Sequence, residues 1–170
     1  MDVDDERALE SILDDLVASY EGPEVTNSLE THALPNRRAV IEALSHLQHL
    51  LFLGFFTTRQ LDRSQLRLAL GEHLLPAAQL LCQQVERATK WEDRDKPSEQ
   101  QREPRWCHEI VFEVLEKLPE IRGLLSGDVQ AAYDNDPAAS SLEEVVFSYP
   151  GIRTLMAYRI AHVLHDCEVP

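Results

Sequence analysis

Residues 128–170 read DVQAAYDNDPAASSLEEVVFSYPGIRTLMAYRIAHVLHDCEVP, and helix starts and stops follow one another closely along them. Ser141 and Glu144 form an S-x-x-E capping box, which predicts a helix over 142–148. Pro150 and Gly151 interrupt it. A further helix then runs over 151–167, with Ile152, Leu155, Met156, Ile160 and Val163 recurring at helical spacing along one face. Upstream, 128–134 and 120–125 suit two short helices. Between them and the capped helix lies Asp134-Asn135-Asp136-Pro137, two carboxylates in a turn whose backbone the proline restrains.

The same periodicity extends toward the N-terminus. Ile110, Val111, Val114, Leu115 and Leu118 share a face of one helix. Residues 91–105 (WEDRDKPSEQQREPR) are polar, hold two prolines and read as an exposed, mobile loop. A long helix from a Ser64 cap to about residue 90 carries Leu70, Leu74, Ala77, Leu81, Val85 and Ala88. Pro76 lies inside it, cannot donate to residue 72 and predicts a kink. Asn36 caps another helix, with Val40, Leu44, Leu47 and Leu51 inward, ending near residue 56 beyond Gly54. Residues 22–36 read as a linker, and 5–20 as an amphipathic helix with Leu9, Ile12, Leu13, Leu16, Val17 and Tyr20 on its apolar side. No segment alternates like a strand and no hexapeptide repeat occurs. The expectation is an all-α domain of about eight helices.

Composition narrows the function classes. The 170 residues carry a formal net charge of −14, with ten acidic residues and only Arg7 in the first thirty. Such a surface repels nucleic-acid phosphates, and no basic stripe offsets it. No run approaches the roughly 20 apolar residues of a membrane helix, and the acidic start is unlike a signal peptide. These features predict a cytoplasmic protein with neither nucleic acid nor membrane as partner. Cys82, Cys107 and Cys167 are widely spaced and lack a CxxC, so neither a disulfide framework nor a zinc knuckle is expected.

His46 and His49, like His162 and His165, stand three apart on helices. Neither pair sits in a recognised ligand pattern, so no metal site is expected. Cys107 and His108 point about 100° apart on a helix and do not suit a nucleophile and its base. P-loop, G-x-G-x-x-G and G-x-S-x-G are absent. The turn acids of 134–137 are the most suggestive feature, because a carboxylate held at a helix junction can bind an ammonium group.

Four pieces of the quoted stretch occur in a specific order and spacing: D-V-Q-A at 128–131, D-x-D-P-A at 134–138, Y-P-G at 149–151 and A-Y-R-I-A-H at 157–162. Together they closely resemble serine O-acetyltransferases. The resemblance is strong over about a quarter of the chain and looser over 5–125. It implies an N-terminal helical domain that precedes a left-handed parallel β-helix of hexapeptide repeats. Enzymes of this family transfer acetyl from acetyl-CoA, the co-substrate, to the L-serine hydroxyl, giving O-acetylserine for cysteine synthesis. A His–Asp pair on the β-helix acts as general base, and acetyl-CoA binds between neighbouring β-helices. Two trimers meet through their helical domains to form a hexamer, and a C-terminal tail docks into O-acetylserine sulfhydrylase.

Carried onto these residues, the resemblance implies that Asp136 reaches toward the substrate serine. It implies structural roles for His162 and Arg159, the latter in helix packing. Where some members carry a lysine after the D-P, Ser140 and Ser141 stand here. The resemblance further implies that 1–170 is the helical domain alone, without the β-helix and its docking tail. No catalytic, cofactor-binding or metal residue is then expected within it, and the isolated chain is expected to be inactive. Self-association is expected through the run Leu50, Leu51, Phe52, Leu53, Phe55 and Phe56, which exceeds one apolar stripe. The alternatives are a stand-alone helical oligomerisation or interaction module, and an acyltransferase of the same architecture with another acceptor.

Overall fold

The structure is a computed structural model that describes residues 3–21, 34–57, 62–103 and 105–170. Seven α-helices and one 3-10 turn occur among the described residues, and no strand. They fall into two compact units, 1–33 and 34–170. The first contains α1 (Val3–Tyr20), with the predicted apolar residues along one side. The predicted linker 22–36 lies largely outside the described residues. No described helix is long and apolar enough to cross a membrane.

The second unit opens with α2 (Arg37–Leu51). Asn36 caps it as its side chain type predicts, accepting from the Arg38 and Ala39 amides at 2.9 and 3.2 Å. The helix stops at Leu51, not near 56. Phe52 leaves helical geometry, and Gly54 takes φ 95°, a left-handed conformation that a glycine adopts without steric cost. The chain thereby folds the apolar run 50–56 inward. Leu50, Leu51 and Phe52 are buried, and Phe55 and Phe56 each lie 5.6 Å, centroid to centroid, from Phe147. Leu50, Leu51 and Phe52 thus belong to the intrachain core, while Leu53, Phe55 and Phe56 stay half-buried.

Helix α3 spans Leu66–Asp93 and continues through Pro76. Its start is organised by Asp62 rather than Ser64. The Asp62 carboxylate accepts from the Ser64 and Gln65 amides at 2.7 and 3.1 Å, and from the Ser64 hydroxyl. Buried Gln84 on α3 accepts from the Asn36 amide at 2.7 Å, tying the start of α2 to α3.

The polar segment after α3 is not the free loop its composition suggests. Asp93 is 3% exposed and accepts from Lys96 Nζ at 2.7 Å and the Arg102 amide at 3.0 Å. Those hydrogen bonds hold its carboxyl below the usual carboxylate range. A 3-10 turn at Ser98–Gln100 and a Gln101 side chain donating to the Asp93 and Lys96 carbonyls complete the tie. Charge-assisted bonds to one buried acid therefore fix a stretch whose residues are individually hydrophilic.

Helix α4 covers Trp106–Glu116 and α5 covers Leu118–Asn135, with Pro119 in the first turn of α5, where its missing amide hydrogen costs no helical bond. The two short helices expected over 120–134 are one. Gly123 and Gly127 do not break it, because Leu118, Ile121, Leu125 and Val129 give it a continuous buried face. Then come α6 (Leu142–Ser148) and α7 (Pro150–Asp166). Helix α2 packs on α3 and α5, α4 on α3, α5 and α7, and α5 also on α6 and α7. The core between them centres on Leu47, Val114, Leu125, Val145, Met156 and Ile160.

The end of α7 closes in a Schellman arrangement. The Glu168 amide donates to the His165 carbonyl at 2.9 Å, and the Val169 amide to the Leu164 carbonyl at 3.0 Å. Glu168 takes the left-handed φ of 56° that this motif requires.

Candidate functional site

The turn between α5 and α6 is built around Asp136. Asp136 is the C-cap of α5, in extended geometry, and its amide donates to the Ala132 carbonyl at 3.1 Å. Pro137 follows, so the helix cannot continue. One carboxylate oxygen accepts from the Ala138 amide at 2.9 Å, the other from the Tyr149 hydroxyl at 2.5 Å. Asp136 and Tyr149 are both half-buried. The Tyr149 hydroxyl and the Ala138 amide hold the Asp136 carboxyl below its ordinary value. In return, the carboxylate pushes the Tyr149 phenol up to about 12.

At neutral pH the pair is therefore a carboxylate and a neutral phenol donor. Each carboxylate oxygen retains a second lone-pair direction, so Asp136 can still accept from a ligand.

Glu144 stands beside it. Ser140 donates to Glu144 through its amide at 2.8 Å and through its hydroxyl. These bonds hold the Glu144 carboxyl below the ordinary range although the charge of Asp136 opposes ionisation. The capping box is half as drawn from the sequence. The Ser141 hydroxyl accepts from the Glu144 amide at 3.1 Å, but the Glu144 side chain reaches back to Ser140 rather than to the Ser141 amide. Ser140 thus holds a carboxylate beside the Asp-Pro turn. Two carboxylates held ionised at one helix junction give the turn a local negative charge.

Asp134 plays a different part. It is exposed and accepts from Gln130 Nε2 at 2.8 Å along the same helix.

Two other motif residues make side-chain pairs within the domain. Arg159 Nη2 donates to both Asp128 oxygens at 2.9 and 2.7 Å, and its Nε to one at 3.2 Å. This forked pair staples α7 to α5 and joins one residue of D-V-Q-A to one of A-Y-R-I-A-H. His162 meets Asp166 at 2.9 Å one turn on, at the surface. Tyr149 and Asp128 are the residues that periodicity alone did not single out. Their only signal was membership of Y-P-G and D-V-Q-A.

The histidines of α2 meet one from α3: His46 Nδ1 lies 3.0 Å from His73 Nδ1, and the His49 and His73 rings stack at 4.2 Å. Cys107 and His108 approach more closely than their positions on an ideal helix suggest, at 3.7 Å.

The Asp136–Tyr149 bond predicts a specific pH signature for Tyr149→Phe. Asp136 has a depressed folded pKa, so its share of stability is complete above the ordinary carboxylate range and lost as pH falls through the depressed value. Tyr149 has a raised one, so its share is complete below 10 and lost as pH rises through about 12. The gap between wild type and Tyr149→Phe in urea midpoint should be widest near neutrality, shrink in acid and shrink again in strong alkali. A gap independent of pH would mean that the hydroxyl does not meet a carboxylate.

The class the fold and this turn define is an all-helical domain with a hydrogen-bonded Asp-Pro turn ahead of its last two helices. The particular family is that of the serine acetyltransferases, whose N-terminal helical domain this chain matches in sequence and in fold. It is 32% identical over 143 residues to a plasmid-borne serine acetyltransferase of Synechococcus elongatus, a match covering 82% of this chain and 44% of that protein. With the serine acetyltransferase of Bacillus licheniformis it shares 45% identity over 42 residues, 25% of this chain and 19% of that one.

Among solved structures, serine acetyltransferase 1 of Entamoeba histolytica, in complex with L-cysteine, superposes with a TM-score of 0.60 at 30% identity. That match covers 75% of this chain and 42% of the other. Isoform 3 from the same organism, in complex with cysteine, gives 0.59 at 28%, covering 75% and 40%. No protein-family model matches the chain. The chain thus spans less than half the length of the relatives it matches.

Proposed function

We propose that this chain is the helical N-terminal part of an enzyme that transfers acetyl from acetyl-CoA to the hydroxyl of L-serine. The observation that carries the reading is the D-x-D-P turn. Asp136 is held ionised by Tyr149 and Ala138, in a chain alignable along most of its length with a serine acetyltransferase. In this reading Asp136 pairs with the ammonium of the substrate serine and fixes its orientation.

The chemistry itself belongs to a β-helix domain outside these 170 residues. A base there takes the serine hydroxyl proton as the oxygen attacks the thioester carbonyl. The carbon–sulfur bond then breaks, and CoA leaves as a thiol after protonation. The role of the present residues is to bind, orient and assemble. The family's usual arrangement would pair trimers through this domain and send a C-terminal tail into O-acetylserine sulfhydrylase. The setting we propose is cytoplasmic cysteine synthesis.

Two measurements test the proposal. The codons that follow Pro170 should encode hexapeptide repeats; a stop codon there would favour a stand-alone helical module instead. The isolated 170-residue chain, supplied with acetyl-CoA and L-serine, should release no CoA above background. Turnover by this chain alone would mean that a base and a CoA site lie among its own residues.

A further inference from the structure

Cys82 on α3 and Cys107 in the first turn of α4 are far apart in sequence, yet their Sγ atoms stand 2.9 Å apart. Cys107 Sγ lies 3.7 Å from His108 Nδ1, and the three atoms all fall within 4.8 Å of one another. Cys107 is buried, Cys82 half-buried and His108 exposed, so the group runs from the core to solvent. The floor is apolar: Val85 and Ile110 are buried beside Cys107, and Trp106 packs against them.

We propose that Cys82, Cys107 and His108 form a binding site for a divalent cation of the zinc class. Two thiolates and an imidazole are the donors such an ion prefers over calcium or magnesium. The spacing suits it. Zinc–sulfur bonds of about 2.3 Å at a tetrahedral angle put two sulfurs about 3.8 Å apart, and a sulfur and a nitrogen about 3.5 Å apart. Cys107 and His108 already stand close to that separation. Cys82 must withdraw from Cys107 by roughly 1 Å, a small torsional adjustment at a half-buried position.

The exposed imidazole leaves an access route, and solvent completes the fourth position. Glu86, one helical turn beyond Cys82, is ion-paired with Lys90 at 2.6 Å, so the donors are the two sulfurs and the imidazole. Loading the site would release the thiol protons and clip α3 to α4.

The competing chemistry is a disulfide. Two thiols this close could join by exchange with a small-molecule disulfide, the sulfur pair losing two electrons and two protons as that oxidant becomes two thiols. The attacking species there is a thiolate. The disulfide requires the two sulfurs to close from 2.9 Å to about 2.05 Å, whereas a shared ion requires them to part.

The test uses the whole chain kept reduced. Cobalt(II) titration should give thiolate-to-cobalt charge-transfer absorption saturating at one equivalent, and zinc should abolish it stoichiometrically. Bound zinc should slow alkylation of Cys82. His108→Ala, at an exposed position, should leave the circular dichroism spectrum unchanged and weaken cobalt binding by at least about tenfold. Cys107→Ser should remove the charge-transfer band, and His73→Ala should leave it intact.

Absence of the band, or a band that His108→Ala leaves equally tight, would overturn the proposal. So would loss of binding in His73→Ala with retention in Cys107→Ser, which would move the ion to the histidine cluster. Rapid Cys82–Cys107 disulfide formation with oxidised glutathione, unaffected by zinc, would also overturn it.

Discussion

Replacing Asp136 by Asn is expected to lower kcat/KM for L-serine about ten- to a hundredfold in the proposed acetyltransferase, the span of one lost charge-assisted hydrogen bond. Asparagine keeps the size and planar shape of the side chain. Its carbonyl oxygen can still accept from Tyr149 or from the Ala138 amide, so the turn should persist. What it loses is the charge that attracts an ammonium.

The form of the loss is informative. If Asp136 holds the ammonium equally in the ground state and the transition state, KM for serine rises and kcat stays; if it aligns the hydroxyl for attack, kcat falls. KM for acetyl-CoA should move little in either case, because no residue of this turn is assigned to the thioester. Asp134→Asn is the control. That carboxylate is exposed and accepts from Gln130 at 2.8 Å, away from Tyr149, so near-neutral kinetics are expected. Steady-state kinetics with each substrate varied separately decide the matter. Equal losses in the two variants, or none for Asp136→Asn, would show that the wrong carboxylate carries the role.

The contrast between the two aspartates shows what the sequence does and does not disclose. Helical periodicity is a local signal, and it located the main helices as well as the Asn36 cap. Boundaries fared worse where a distant residue set them. The break at Phe52 follows from Gly54 and from packing on Phe147, nearly a hundred residues away. The continuity of α5 follows from a buried face that outweighs the low helix propensity of Gly123 and Gly127.

The polar segment 91–105 read as mobile because its residues are hydrophilic. Asp93 reverses that by turning a carboxylate inward and gathering Lys96 and Arg102 around it. Asp136 was legible as one of two turn carboxylates beside a proline, and only the family motifs set it apart from Asp134. Its partner Tyr149 lies thirteen residues on, and the hydroxyl–carboxylate bond depends on how α6 turns the chain back. Likewise no sequence pattern joins Cys82 to Cys107; only the packing of α3 against α4 does.

Leu47→Ala should be among the most destabilising single substitutions in the second unit, costing about 2–5 kcal/mol. Leu47 is 0% exposed and belongs to the face of α2 that also buries Ala43, Leu50 and Leu51. That face meets α3 on one side and α5 on the other. Truncation removes apolar atoms and leaves a cavity between three helices. Because α3 is tied to the start of α2 by Gln84, collapse of the site is restrained, which favours the upper part of the range.

Ile41 is the matched control on the same helix, 40% exposed. Ile41→Ala trades partly exposed apolar area for a better helix former and should stay within about 0.5–1 kcal/mol. Urea unfolding followed by circular dichroism reads both, with a shift in midpoint and an unchanged slope expected for Leu47→Ala.

The comparison also discriminates between the two readings of the apolar run at 50–56. If burial of the α2 face depended on association between copies, the cost of Leu47→Ala would vary with protein concentration. A large difference between the two variants, independent of protein concentration, is what an intrachain core requires.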